Sequence, residues 1–443
     1  MAPRLRQNEE MPRASTPRTL PAVPAHRTGA KALGVRPRFP HVDALRAIAA
    51  LAILGTHAAF FAGAYGRPGL AAQLAARLEV GVSVFFVISG FLLYRPFVAA
   101  HLTGLAVPPT WAYTLRRLAR IVPAYWLALT VIALATPIAG VGLNAGALRY
   151  YLFGQIYDTD TIGYGLTQAW SLCVEISFYA FLPLWAWGVR FAGRRTEDAR
   201  SRLRVELVAL VLLGAFSVLW KVAVLALQDD HAQVLVTPWL ISLPAHLDEF
   251  AIGMALAVMS VRHGELAGGA GRVWRTVARY PALAWLAAGA AFVTAATGLG
   301  ISGRFLAPMS AWQYGGLHAL YAVVGACLFA PAVIGDPGRG ALRRVLAWAP
   351  LPWLGTVSYG IYLWHDAVLN RLSAWGWGDR VVVHAYVWWP AGALAGAALC
   401  AAVSWYALER PLLDRVHRRP RPAVTPAPVL PAPAPAPAAR TPG

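Results

Sequence analysis

His41-Val-Asp43-Ala-Leu-Arg46-Ala-Ile-Ala-Ala-Leu-Ala-Ile-Leu-Gly-Thr-His57-Ala-Ala-Phe-Phe-Ala62 is the stretch on which the reading of this chain turns. It is long enough to cross the hydrocarbon core of a bilayer, which takes about 20 residues. Yet it carries three ionisable groups. Charges inside a span are costly and mark function by default. Arg46 and His57 are eleven residues apart. At about 100° per residue, eleven steps end about 20° past three full turns, so the two side chains share a face about 16 Å apart along the axis. Asp43 lies three residues before Arg46, placed for an ion pair. One polar stripe thus faces the interior of a bundle. An imidazole deep in the membrane is uncharged at neutral pH because loss of water disfavours the imidazolium. It could act as a general base. The competing reading is a core histidine bonded to a backbone carbonyl.

Nine further apolar segments of spanning length follow. The ten are roughly 41–62, 79–98, 113–138, 168–190, 205–227, 237–260, 281–299, 313–334, 353–371 and 382–409. A shorter piece, about 144–156, reads as a re-entrant or interfacial helix. With the N-terminus in the cytoplasm, 31 Lys and Arg fall on the inner side and six on the outer. Arg46 and Lys221 lie within spans. Cytoplasmic loops collect basic residues, so this split predicts an all-α integral membrane protein of about ten transmembrane helices with both termini cytoplasmic. The expected domains are a disordered basic tail over 1–38, a membrane domain over 39–412 and a disordered Pro/Ala-rich tail over 413–443.

Composition agrees. Of 443 residues, 58% are hydrophobic and 13% charged, where soluble domains carry about 25% charge. The formal net charge is nevertheless +19. A nucleic-acid binder would carry many charges of both signs on a polar surface, so no nucleic-acid partner is expected. Cys173, Cys327 and Cys400 supply neither a disulfide framework nor a metal-ligand spacing, and no metal is expected. No secretory signal peptide is evident. Internal repeats are not evident either, which weakens the alternative of a transporter or flippase for a glycan or amphiphile.

Other spans add polar groups. The third begins Thr114-Leu-Arg116-Arg117-Leu-Ala-Arg120-Ile-Val-Pro-Ala-Tyr125-Trp126. Arg117 and Arg120 share a helix face, with Arg116 beside them. A guanidinium fork matches two oxygens of a phosphate, although positive-inside anchoring alone would also place arginines here. Tyr125 stands where an aromatic can pack on a ligand or on lipid. Ser89-Gly90 in the second span suits close helix packing. Glu175, about five residues into the fourth span, needs a cationic or imidazole partner. Lys221, Asp248 and Glu249 are further embedded or edge charges. The ninth span holds Ser358, Tyr359, Tyr362, His365 and Asp366.

Together these pieces resemble the acyltransferase-3 family of membrane enzymes, which contains bacterial O-antigen and polysaccharide O-acetyltransferases. The matching pieces are Asp43-Ala-Leu-Arg46 with His57, Phe85-Phe-Val-Ile-Ser-Gly-Phe91, and Arg117-x-x-Arg120 followed by Ile-Val-Pro-Ala-Tyr. Next come Trp170-Ser-Leu-Cys-Val-Glu175 with Phe178-Tyr179, Glu249-Phe-Ala-Ile-Gly-Met254, Ser358-Tyr-Gly-Ile-Tyr-Leu-Trp-His365 and Ser404-Trp-Tyr-Ala-Leu-Glu-Arg-Pro411. They stand in family order over about 39–412. Ile176-Ser177 depart from the pattern, where the family usually has an acidic residue and Gln. No esterase-like domain is expected after the tenth span. The resemblance implies transfer of an acyl group from a cytoplasmic thioester, acetyl-CoA above all, to a hydroxyl of a sugar-containing acceptor. It implies His57 as the essential histidine with Arg46 as its partner and Asp43 supporting them. Arg117 and Arg120 would hold the acyl-CoA donor, with Arg116 and Tyr125 beside them. Glu175, Ser89, Ser358, Tyr359 and His365 would bind the acceptor or support the site.

Overall fold

The computed structural model describes residues 39–418 apart from 66, 105, 108, 136–140, 142–145, 197, 229–236, 265–270, 302–308, 337 and 382–383. The expected N-terminal tail, and the C-terminal tail beyond Arg418, lie outside the described residues. Among the described residues every regular element is helical. The ten long helices are α1 (Val42–Phe61), α2 (Gly81–Thr103), α3 (Thr110–Ala135), α4 (Trp170–Ala192) and α5 (Ala199–Ala226), then α6 (Leu247–Gly264), α7 (Pro281–Thr297), α8 (Ala311–Val333), α9 (Pro350–Ala374) and α10 (Ala385–Ser404).

Each of the ten expected spans falls on one of these helices. Among the described residues, seven helical stretches are long and apolar enough to cross a membrane, and an eighth qualifies if the bent pair Arg272–Arg279 and Pro281–Thr297 counts as one span. The chain is a multi-pass membrane protein. α6 and α9 lie outside the seven for a physical reason: α6 carries Asp248, Glu249 and Arg262, and α9 carries Asn370 and Arg371 beside its His-Asp pair. Such groups lower mean hydropathy even when the helix is buried among others.

Local signals start the helices. Pro281 and Pro350 occupy the first turns of α7 and α9, where a missing N–H costs nothing. Ser310 and Gln313 cap α8 reciprocally, and the Asp198 carboxylate accepts the Ser201 N–H at the start of α5. The predicted piece around 144–156 contains a short helix, Ala147–Tyr151, and a single turn, Gln155–Tyr157. It returns against α3, where Tyr125 and Trp126 donate to the carbonyls of Tyr150 and Tyr151 at 2.8 and 2.9 Å.

α2 is the central helix: 72% of its spanning stretch is buried, against 22% for α5. It packs closest on α6, and glycine makes that approach possible. A Cβ on Gly90 would collide with the Phe250 carbonyl, and one on Gly253 with the Val87 carbonyl. Large apolar side chains such as Leu134, Leu184, Val211, Leu219 and Leu286 point outward and are exposed. A belt of this kind belongs in lipid. α1 lies between α9 and α2, and Arg46 and His57 of its polar stripe face the interior while Asp43 stays exposed. Residues 410–418 extend the last helix beyond the expected domain boundary at 412 and pack on α3.

Candidate active site

α1, α2, α3, α4 and α9 surround a cavity of about 70 Å³. Its polar wall comes from all five. Arg46 enters from α1 and Ser89 from α2, with Arg117 and Arg120 from α3. Glu175 and Tyr179 enter from α4, and Tyr359 and Tyr362 from α9. Three guanidinium groups therefore line the cavity against one carboxylate. Glu175 Oε1 accepts from Ser89 Oγ at 2.8 Å and from the Tyr179 hydroxyl at 2.7 Å. Those two bonds hold the carboxylate across the α2–α4 contact. Tyr359 donates to the Ile121 carbonyl at 2.8 Å, which ties α9 to α3.

The cationic side of the cavity is incompletely balanced. Asp43 lies 3.9 Å from Arg46, at the outer limit of an ion pair, and its side chain is 52% exposed. The Arg117 guanidinium stands over the Tyr113 ring at 6.0 Å, and its buried Nε has no hydrogen-bond partner among the described residues. Glu409 sits near Arg46 and Arg120 but spends one oxygen accepting from Ser404 at 3.0 Å. It belongs to a π-helical turn, Trp405–Glu409, that follows α10. Like charges facing one low-dielectric space repel strongly unless an anion joins them. The arrangement suits a negatively charged ligand.

His57 stands beyond this cavity and pairs with His365 of α9. His57 Nδ1 and His365 Nε2 are 2.7 Å apart, with the rings stacked at 4.9 Å. The bonding network assigns the tautomers. His365 Nδ1 lies 2.8 Å from the Tyr362 carbonyl, which can only accept, so Nδ1 carries the hydrogen. His365 Nε2 is then an acceptor, and His57 Nδ1–H donates to it. That leaves His57 Nε2 with a free lone pair, the atom a general base uses. Tyr362 links the two regions. Its ring lines the cavity and lies 5.9 Å from the His365 ring. Its hydroxyl donates to the Gln168 carbonyl and pairs with Ser171 Oγ.

Six of the twelve expected site residues meet at the cavity: Arg46, Ser89, Arg117, Arg120, Glu175 and Tyr359. His57 and His365 pair beyond it, and the other four join neither group. Arg116 is absent from the wall although its two neighbours on α3 reach it. Tyr125 is fully buried, stacked on Phe153 at 4.4 Å, with its hydroxyl committed to the Tyr150 carbonyl. Ser358 is buried and donates to the Gly355 carbonyl within its own helix. Asp43 is at the edge. Tyr362, Tyr179, Ser171 and Glu409 are the polar groups the reading from sequence left outside the site. All four lie inside the motifs that carried the resemblance, and that was the signal available.

A family model described as an acyltransferase domain matches residues 39–409. The chain is 27% identical over 358 residues to nodulation protein 10 of Rhizobium leguminosarum, covering 75% of this chain and 82% of that one. It is 23% identical over 354 residues to a peptidoglycan O-acetyltransferase of Listeria monocytogenes, covering 76% of this chain and 50% of that one. It is 23% identical over 398 residues to an O-acetyltransferase of Staphylococcus aureus, covering 85% of this chain and 57% of that one. The chain thus spans about half the length of these two O-acetyltransferases. No solved structure matches.

Proposed function

The chain belongs to the acyltransferase-3 family, and on that premise we propose that it is an O-acyltransferase moving an acetyl group from acetyl-CoA to a sugar hydroxyl. The observation that carries the donor reading is the three-arginine wall. Arg46, Arg117 and Arg120 face one cavity with Glu175 as the carboxylate in its wall, Asp43 and Glu409 standing outside it, which suits the phosphates of an acyl-CoA. At about 70 Å³ the cavity is too small to hold a whole acyl-CoA. In this reading the phosphates stay at the arginines and the slender pantetheine arm reaches toward His57.

In this reading the acceptor hydroxyl approaches His57 from the opposite side of the membrane. His57 Nε2 takes the hydroxyl proton as the oxygen bonds to the thioester carbonyl carbon. The C–S bond then breaks, and the leaving thiolate recovers the proton from the imidazolium. His365 holds the base in the working tautomer and Asp366 faces the positive charge that the ring gains. Glu175, fixed by Ser89 and Tyr179, orients the arginines or the acceptor. The acceptor in this reading is a cell-envelope glycan, glycolipid or secreted glycosylated metabolite, and the likeness to a peptidoglycan O-acetyltransferase supports the first of these. We read the chain as a cell-membrane protein of ten spans with both termini in the cytoplasm, on the charge asymmetry of its loops. That orientation puts the arginines toward the donor's side.

The test is acetyl-CoA consumption by the purified full-length chain in detergent, with a cell-wall oligosaccharide as acceptor. Free CoA and acetylated sugar should appear together in equal amounts. Oligosaccharide movement across proteoliposomes with no thioester consumed would contradict the proposal.

A further inference from the structure

Away from the acyl-transfer cavity, two imidazoles and a carboxylate converge inside the bundle. His246 ends the turn Leu243–His246, Glu249 lies in the first turn of α6, and His318 projects from α8. One ligand atom from each lies within 4.8 Å of the others. His246 is 3% exposed and Glu249 1%. Both ring nitrogens of His246, Glu249 Oε2 and His318 Nδ1 are buried with no hydrogen-bond partner among the described residues. Four orphaned polar atoms at one point are unusual, because leaving each buried group unpaired costs about 1–3 kcal/mol. Direct pairing does not resolve it: His246 Nδ1 and Glu249 Oε2 stand 3.5 Å apart.

We propose that His246, Glu249 and His318 bind a single transition-metal ion of the zinc class. The donor set decides the class. Two imidazole nitrogens with one carboxylate oxygen suit zinc and its late first-row neighbours, whereas magnesium and calcium want oxygen throughout. Ligands about 2.0–2.2 Å from zinc lie at most about 4.4 Å apart, so small side-chain rotations close the set. The surroundings already hold the ligands in place. Ser83 Oγ donates to Glu249 Oε1 at 2.7 Å, which leaves Oε2 directed at the histidines. The His246 ring is held against Phe86 and Trp170, and the His318 ring against Tyr314. The nearby ammonium of Lys221 is matched by Asp248 at 2.6 Å. A metal here would clasp the 243–249 corner to α8 beside α2. The sequence hides such a site because its third ligand comes from a distant helix.

The full-length protein, purified in detergent without chelator, should carry one zinc per chain by elemental analysis. After chelator treatment it should take up one Co²⁺ with the visible absorption of a nitrogen-ligated site, and added Zn²⁺ should raise its melting temperature. His318→Ala and Glu249→Gln should abolish uptake, and Ser83→Ala should weaken it about 10–100-fold. His263→Ala, on the exposed end of the same helix, should leave it intact. A folded wild-type chain that holds no metal and takes up neither ion overturns the proposal. So does uptake unchanged in His318→Ala. Neither result depends on acyl transfer.

Discussion

At the scale of the residue, the proposed site joins an arginine-lined cavity to a histidine whose tautomer is set by its neighbour. His57 and Arg46 were legible because one helix carries both and its period places them on one face. His365 as the partner of His57 was not legible in that way, because periodicity fixes a face but not which helix meets it. Two predictions belong here. His365→Phe keeps the ring volume and removes the acceptor for His57 Nδ1–H. It should lower kcat about 100-fold, as misplacement of a reacting group does, with the KM for acetyl-CoA unchanged. An unchanged kcat would remove His365 from the mechanism. Arg120→Ala removes a charge-assisted contact that contributes about 1.5–3 kcal/mol and should raise the donor KM about 10–100-fold. Steady-state kinetics separates this from an effect on kcat.

At the scale of the element, helices carry residues that look functional and serve packing. Tyr125 follows the arginine pair by one turn, yet its hydroxyl anchors the 147–157 return to α3. Nothing in the α3 sequence announces that anchor, since the partner is a backbone carbonyl. Lys221 and Asp248 are the converse case. Both are embedded charges, and the structure joins them at 2.6 Å between α5 and α6, with Ser217 donating to the same carboxylate at 3.1 Å. Removing one member leaves the other charge buried alone. Asp248→Ala should therefore destabilise the protein by about 3–5 kcal/mol, and Lys221→Met in the same chain should recover much of that loss. Unfolding in detergent measures both. Equal stability of Asp248→Ala and wild type would show that the pair is not desolvated.

At the scale of the whole molecule, all ten apolar segments became helices, but only seven or eight satisfy length and hydropathy as spans. The shortfall has a cause. α6 and α9 line the interior with polar groups and are sheltered by their neighbours, so their composition departs from that of lipid-facing helices. Charge asymmetry sees past this, because it reads loops. It predicts that a cysteine at Thr159, exposed between α3 and α4, is labelled by a membrane-impermeant reagent in intact cells. Cysteines in either tail should be labelled only after lysis. Labelling of a tail in intact cells would reverse the donor side. The measurement closest to the central claim is acetyl transfer by purified, folded His57→Ala, from acetyl-CoA to the oligosaccharide acceptor. A general base contributes about 10²–10⁴-fold, so the rate should fall at least about 100-fold with the donor KM little changed. An undiminished rate would contradict the mechanism.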